Sequence, residues 1–203
     1  MNPALEKPLR LYLVRHGQTE WSLSGQHTGS TDIPLTTHGE DEARALIPWL
    51  EQVKFDFVLT SPRQRARRTS ELVGLGRQAE IDPDLAEWDY GDYEGKLSSD
   101  IRKERAQWNV FEDGCPGGEM PTQVSDRADR LIRKVGTRMG NIALFSHGQF
   151  GPALAARWIG LPVAEGRKLP LNTASLSILS YHPTHPQVRV IALWNATPAR
   201  FIS

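Results

Sequence analysis

Short apolar runs alternate along the chain with stretches whose apolar residues recur every three or four positions. Leu9–Val14 is a buried-strand pattern that ends at Arg15-His16-Gly17. Residues 17–35 are rich in Gly, Ser, Thr and Gln and predict a long loop. Thr36 is placed to cap a helix, with Gly39 and Glu40 in its first turn, and Ala43, Leu46, Ile47 and Leu50 continue at helical spacing. Phe55–Thr60 predicts a second strand, Pro62 opens a second helix running to about Val73, and Ile81 marks a short third strand. Residues 83–96 predict an acidic loop carrying aromatics, with weaker helices near 98–110 and 122–138. Ile142–Ser146 is another buried strand, followed by His147-Gly148 and a helix to about Trp158. Ser175–Tyr181 and Val188–Trp194 predict an antiparallel pair joined by a turn over Pro183–Pro186.

Strands alternating with helices give an α/β class: a three-layer α/β/α sandwich, mainly parallel, with helices on both faces and an antiparallel edge. There is neither a linker-like stretch nor a repeat, so residues 1–203 are expected to form a single domain. In such folds ligands bind beyond the carboxyl ends of the strands. His16, Ser61 and His147 each lie just past one.

Composition narrows the classes further. Lys plus Arg and Asp plus Glu number 24 each, so nothing pulls the chain towards nucleic acid or an anionic membrane, and any anion must be met in a local pocket. Cys115 is the single cysteine, which fits a reducing compartment. The start, Met-Asn-Pro-Ala-Leu-Glu-Lys-Pro, lacks the pattern of a signal peptide. The longest uncharged stretch, 141–156, is too short and too polar to span a bilayer. A cytoplasmic protein is expected, with association between copies left open.

The chemistry begins with two strand ends of one form. Val14-Arg15-His16-Gly17 and Phe145-Ser146-His147-Gly148 each place a histidine and a glycine after an apolar strand. One such histidine is ordinarily structural; two on neighbouring strands would stand side by side. Neutral imidazole is available as a nucleophile near pH 7, and a phosphoryl group on nitrogen is labile enough for water to remove it. Arginines suit the charge of a phosphate ester through planar, bidentate contacts. Arg15 precedes His16, and Arg63, Arg65, Arg67 and Arg68 follow the second strand; spacing alone does not say which of the four faces the crevice. The loop from Asp82 to Gly95 supplies carboxyls that can protonate a leaving alkoxide. Asp89, Asp92 and Glu94 in the same loop admit a metal reading, although their spacing matches no known metal loop. Phosphate-cradling glycine motifs, paired Cys-x-x-Cys and His-Glu-x-x-His are absent.

Leu13-Val14-Arg15-His16-Gly17-Gln18-Thr19-Glu20-Trp21 resembles the signature of the histidine phosphatase superfamily, in its phosphoglycerate-mutase-like branch. Thr28-Gly29, Asp32-x-Pro34-Leu35-Thr36-x-x-Gly39, Ser61-Pro62-x-x-Arg65-Ala66-x-x-Thr69, Leu85-x-Glu87-x-x-Tyr90-Gly91, Gly118-Glu119 and Ser146-His147-Gly148 follow in that family's order. The resemblance implies a metal- and cofactor-independent phosphomonoesterase. In it His16 is the phosphorylated nucleophile, Arg15, Arg65 and His147 hold the phosphoryl group, and Glu87 is the proton donor. Gln18, Ser22, Thr28, Gly29, Tyr90, Gly148 and Gln149 become candidates for substrate contact. Ser22 stands where true mutases of the family usually carry asparagine. The 83–96 and 108–119 segments are similar to those of sedoheptulose bisphosphatases, which implies a small phosphorylated metabolite such as a sugar bisphosphate. The alternatives are a phosphoglycerate-type mutase and, from another class, a phospho-ligand binding domain without chemistry.

Overall fold

The computed structural model describes residues 8–198. Met1–Lys7 and the last five residues of the expected 1–203 domain lie outside the described residues. Six strands form one sheet: β1 (Arg10–Arg15), β2 (Phe57–Thr60), β3 (Ala79–Ile81), β4 (Asn141–Ser146), β5 (Leu176–His182) and β6 (His185–Ala196). Their order is β3-β2-β4-β1-β5-β6. β1, β2, β3 and β4 are mutually parallel, and β5 and β6 add an antiparallel edge.

Alternation along the central strands sends successive side chains to opposite faces. Leu11 and Leu13 of β1, with Ile142 and Leu144 of β4, pack against α7 (Pro121–Gly136) through Ala128 and Leu131, and against α8 (Phe150–Trp158) through Leu154. Tyr12 and Val14, with Ala143 and Phe145, face the other way. There they meet Leu46, Leu50 of α3 (Ile47–Leu50) and Ala66 of α4 (Gln64–Leu72). Both faces of the strands are covered, which is why β1 and β4 read as continuous apolar runs.

The register places the site. Arg15 pairs with Ser146 at the ends of β1 and β4, so His16 and His147 leave the sheet together. β2 lies on the other side of β4, and the Ser61 N–H donates to the Phe145 carbonyl at 2.9 Å.

Five local expectations need correction. The 17–35 loop contains a helix, α1 (Glu20–Ser24), nucleated by a capping box in which Thr19 and Ser22 exchange side-chain and backbone hydrogen bonds. The predicted helix near 98–110 is two pieces, α5 (Ser98–Glu104) and α6 (Val110–Asp113). Gln107 between them has φ 73°, which no α-helix accommodates, and Asn109 caps the second piece by accepting from the Phe111 N–H. The helix assigned to Pro62 starts at Gln64, with Arg63 in extended conformation as its cap. The hairpin turn shrinks to Pro183-Thr184, because β5 runs to His182 and β6 already begins at His185. The helix capped by Thr36 starts as read, with Thr36 accepting from the Gly39 N–H, but α2 (Thr37–Arg44) stops before Leu46, and Ile47 and Leu50 fall in the separate α3.

Candidate active site

A cavity of about 430 Å³ opens at the carboxyl ends of β1 and β4. Arg15, His16, Glu87, Tyr90, Gly148 and Gln149 contribute to its wall, as do Ser22 and Thr28. Its volume falls in the range of small-molecule sites, roughly 300–1,000 Å³.

His16 is buried, 5% exposed, yet it reaches the cavity. Its Nδ1 lies 2.7 Å from the Gly17 carbonyl. A carbonyl only accepts, so Nδ1 carries the proton and Nε2 keeps its lone pair. Burial, then the charges of Arg65 and Arg15, hold its pKa well below the ordinary 6.5. The ring is therefore neutral at neutral pH. The turn carrying it is fixed by glycine against glycine: a Cβ on Gly17 would meet the Gly39 carbonyl oxygen at 2.1 Å, and one on Gly39 would meet the Gln18 oxygen at 2.1 Å.

His147 stands beside it, ring centroids 5.2 Å apart. Here both nitrogens are bonded within the protein. Arg65 Nε donates to Nδ1 at 3.2 Å, and Nε2 lies 2.7 Å from Ser61 Oγ. Because a guanidinium only donates, Nδ1 is the acceptor and Nε2–H donates to Ser61. Burial and the Arg65 charge keep this ring neutral too.

Arg65 is fully buried. Beyond His147 its guanidinium donates to the carbonyls of Thr31 (3.0 Å), Thr28 (2.9 Å) and Gly29 (3.2 Å), so it ties α4 to the 28–31 loop. Arg15 is the more accessible of the two. Its Nη1 donates to the Leu171 carbonyl, while its buried Nε has no partner among the described residues. A Cβ on Gly148 would come within 2.9 Å of the Arg15 guanidinium carbon, so the second glycine makes room for the arginine of the first motif.

Glu87 receives three backbone N–H groups. Oε1 accepts from Trp88 (2.9 Å), Phe150 (2.8 Å) and Gln149 (3.2 Å), and Oε2 from Gln149 alone (3.0 Å). The N-terminus of α8 thus fixes the carboxyl in the cavity that His16 also lines. Arg127 steadies this loop from behind. It bonds the Asp84 and Ala86 carbonyls at 3.0 and 2.6 Å, pairs with Glu119 at 2.7 Å and stacks on Phe150. Sequence reading missed Arg127, although a signal existed: a charged residue among the apolar positions Val124, Ala128 and Leu131 of one helix face.

Among the substrate-contact candidates, Ser22, Thr28, Tyr90, Gly148 and Gln149 line the cavity. Burial pushes the Tyr90 hydroxyl well above its ordinary pKa, so it stays a phenol. Gln18 and Gly29 stand behind the wall: Gln18 Oε1 accepts from Thr36, and the Gly29 N–H donates to Glu94 at 2.9 Å. Arg65 and His147 also lie behind it.

Glu94 is thereby spent on the Gly29 and Thr31 N–H groups, and Asp89 on that of Gly91. Among the described residues no three His, Cys, Asp or Glu side chains gather as a metal-binding group. No described helix is long and apolar enough to cross a membrane.

Comparison with known proteins matches residues 11–195 to the model of the histidine phosphatase superfamily, branch 1. The chain is 40% identical over 188 residues to an acid phosphatase of Mycobacterium tuberculosis, covering 91% of this chain and 92% of that one. It is 39% identical over 186 residues to sedoheptulose 1,7-bisphosphatase of Saccharomyces cerevisiae, covering 76% of this chain and 69% of that one. A solved structure of an open reading frame product from M. tuberculosis superposes with a TM-score of 0.88 at 39% identity, covering 93% of this chain and 98% of that one.

Proposed function

Because the chain belongs to the histidine phosphatase superfamily, we propose that it hydrolyses small phosphate monoesters through a phosphohistidine formed on Nε2 of His16. One observation carries this reading. His16 presents an unprotonated nitrogen to the cavity, with Arg15 lining the same wall and Arg65 buried behind.

In the first step Nε2 attacks phosphorus and the P–O ester bond breaks. Glu87 gives its proton to the leaving alkoxide, and Oε2, the oxygen with a single backbone donor, is the one from which it passes. In the second step Glu87 takes a proton from water, the hydroxide attacks phosphorus, and the N–P bond breaks to free phosphate and His16. Arg15 meets the phosphoryl charge directly. Arg65 and His147 contribute from the layer beneath, and direct contact requires His147 Nε2–H to leave Ser61. The names of the two relatives at 39–40% identity support a phosphatase over a mutase, and that of the yeast relative alone supports a sugar bisphosphate as substrate.

The test is to quench the enzyme with labelled substrate in the steady state. An acid-labile, base-stable phosphoenzyme mapping to His16 is expected, and none in His16→Ala. A label on any other residue refutes the mechanism, and a retained bisphosphorylated product moves the reading to a mutase.

A further inference from the structure

Two more arginines line the cavity wall, both from segments outside the strands: Arg102 and Arg167. Their surroundings differ. Arg167 is paired with Glu112 through Nη1. Arg102 has no carboxylate partner among the described residues; its Nε donates to the Trp108 carbonyl at 3.0 Å. The neighbouring cations of the same segment are neutralised: Lys103 by Asp100 at 2.7 Å and Arg105 by Asp113 at 3.4 Å. Arg102 alone among these carries its charge into the cavity uncompensated.

It is also held there. The bond to Trp108 fixes the plane of the guanidinium and leaves both Nη groups without an acceptor among the described residues. Trp108 is buried and stacks edge-on with Tyr93 and His27, so the anchor is rigid. His27 shares this wall. It stacks on Tyr90 at 4.5 Å and bonds Ser98 Oγ at 3.0 Å. Burial, with Arg102 as a smaller contributor, lowers its pKa to about 4, so it adds no positive charge at neutral pH. Glu87, the one carboxylate lining the cavity among the described residues, is turned to the N-terminus of α8. A fixed, unpaired guanidinium whose fork is open suits a planar or tetrahedral oxyanion.

We propose that Arg102 forms a second oxyanion subsite, so that the preferred substrate carries, besides the phosphate cleaved at His16, a second phosphate or carboxylate reaching the Arg102 wall. This rests on the phosphatase reading above and names the class of ester it selects. Contact with a group remote from phosphorus is made equally in ground and transition states, so its loss is expected mainly in KM.

The test compares matched substrates: fructose 1,6-bisphosphate with each of its monophosphates, and 3-phosphoglycerate with glycerol 3-phosphate. The wild type is expected to favour the doubly anionic member of at least one pair. Arg102→Gln should reduce that preference by about tenfold or more, the size of one lost charge-assisted contact, chiefly through KM. Arg102→Lys should restore part of it, since it keeps charge without the fork. Which pair responds identifies the second group as phosphate or carboxylate. Absence of a wild-type preference in both pairs, or a preference unchanged in Arg102→Gln, overturns the subsite. Failure of the wild type on p-nitrophenyl phosphate and on all these esters instead strikes the phosphatase reading itself.

Discussion

The ends of β1 and β4 carry the same local sequence, strand–polar–His–Gly, and the fold treats their histidines differently. His16 spends one nitrogen on the carbonyl of the next residue and offers the other to the cavity. His147 spends both, on Arg65 and Ser61. Both are neutral and buried, so charge does not separate them. Partners do: β4 is flanked by β2, whose strand end supplies Ser61 and whose following helix supplies Arg65, whereas β1 is flanked by β5, which supplies neither. The proposed nucleophile and the fully bonded ring beside it differ because of their neighbours in the sheet.

The largest effect should come from removing the free nitrogen. His16→Ala is expected to abolish turnover and phosphoenzyme together, with the fold retained by circular dichroism. His147→Ala should leave a measurable enzyme, slowed by ~10²–10³-fold, the scale of losing one preorganised group. Equal residual activities in the two variants would erase the distinction drawn between them.

Arg65→Ala strikes the layer beneath both rings. It removes a buried charge near the proposed phosphoryl site and strands the carbonyls of Thr28, Gly29 and Thr31, with the His147 ring freed at Nδ1. Loss of activity on the order of 10²–10³-fold is expected, together with lower thermal stability, since unsatisfied buried groups cost about 1–3 kcal/mol each. Stability unchanged in a melting experiment would mean the loop does not depend on this arginine.

Glu87→Gln sharpens the division of labour at His16. An alkyl ester needs a proton as it leaves, and a nitrophenolate hardly does. Hydrolysis of a sugar phosphate should therefore fall much further than that of p-nitrophenyl phosphate. Equal slowing of both, or the same selectivity in Asp84→Asn or Asp89→Asn, reassigns the donor. Asp84 faces Arg130 at 2.8 Å and Asp89 bonds the Gly91 N–H, so neither carboxylate is spent on the groups that hold Glu87.

How much of this was legible beforehand depends on range. The strands, the fold class, both strand-end histidines and the Thr36 cap are local patterns, and the chain folds as they indicate. Spacing could not select Arg65 from four arginines, because the selection is made by carbonyls at 28–31 and a ring at 147; the family resemblance supplied it. Ser61 and Arg127 were missed as positioning groups for the same reason, since their partners are more than forty residues away in most cases. Helix α1 was missed for a local reason: a Thr-x-x-Ser capping box hidden among residues that ordinarily signal loop. The Arg102 wall comes from a segment with weak periodicity, broken at Gln107.

Both rings have depressed pKa values, and that has a consequence for stability. Between the folded values and the unfolded value near 6.5, the unfolded chain takes up protons that the native rings refuse. Stability is thus complete above about pH 6.5 and declines as pH falls, by up to about 1.4 kcal/mol per pH unit for each such histidine. His27, held at about 4, adds to the same slope. Melting temperatures from pH 7.5 to 5 should fall, and less steeply in His27→Gln. A flat profile would show that the rings accept protons in the native state.

The smallest expected effect belongs to Ser61→Ala, and it decides how His147 works. Ser61 Oγ receives the Nε2–H of His147 at 2.7 Å, and the Arg63 N–H donates to the same oxygen at 3.2 Å. If the hydroxyl orients the ring, its loss leaves a buried N–H unpaired and the ring held at Nδ1 alone; catalysis should drop about tenfold, and vanadate, which mimics five-coordinate phosphorus, should bind correspondingly less well. If instead the hydroxyl competes with phosphate for Nε2–H, its removal should release that donor, and vanadate should bind more tightly. The geometry favours orientation, because Ser61 and His147 are both fully buried and neither lines the cavity. Tighter vanadate binding in Ser61→Ala, measured by inhibition against p-nitrophenyl phosphate, would make His147 a direct phosphoryl ligand and bring it to the same surface as His16.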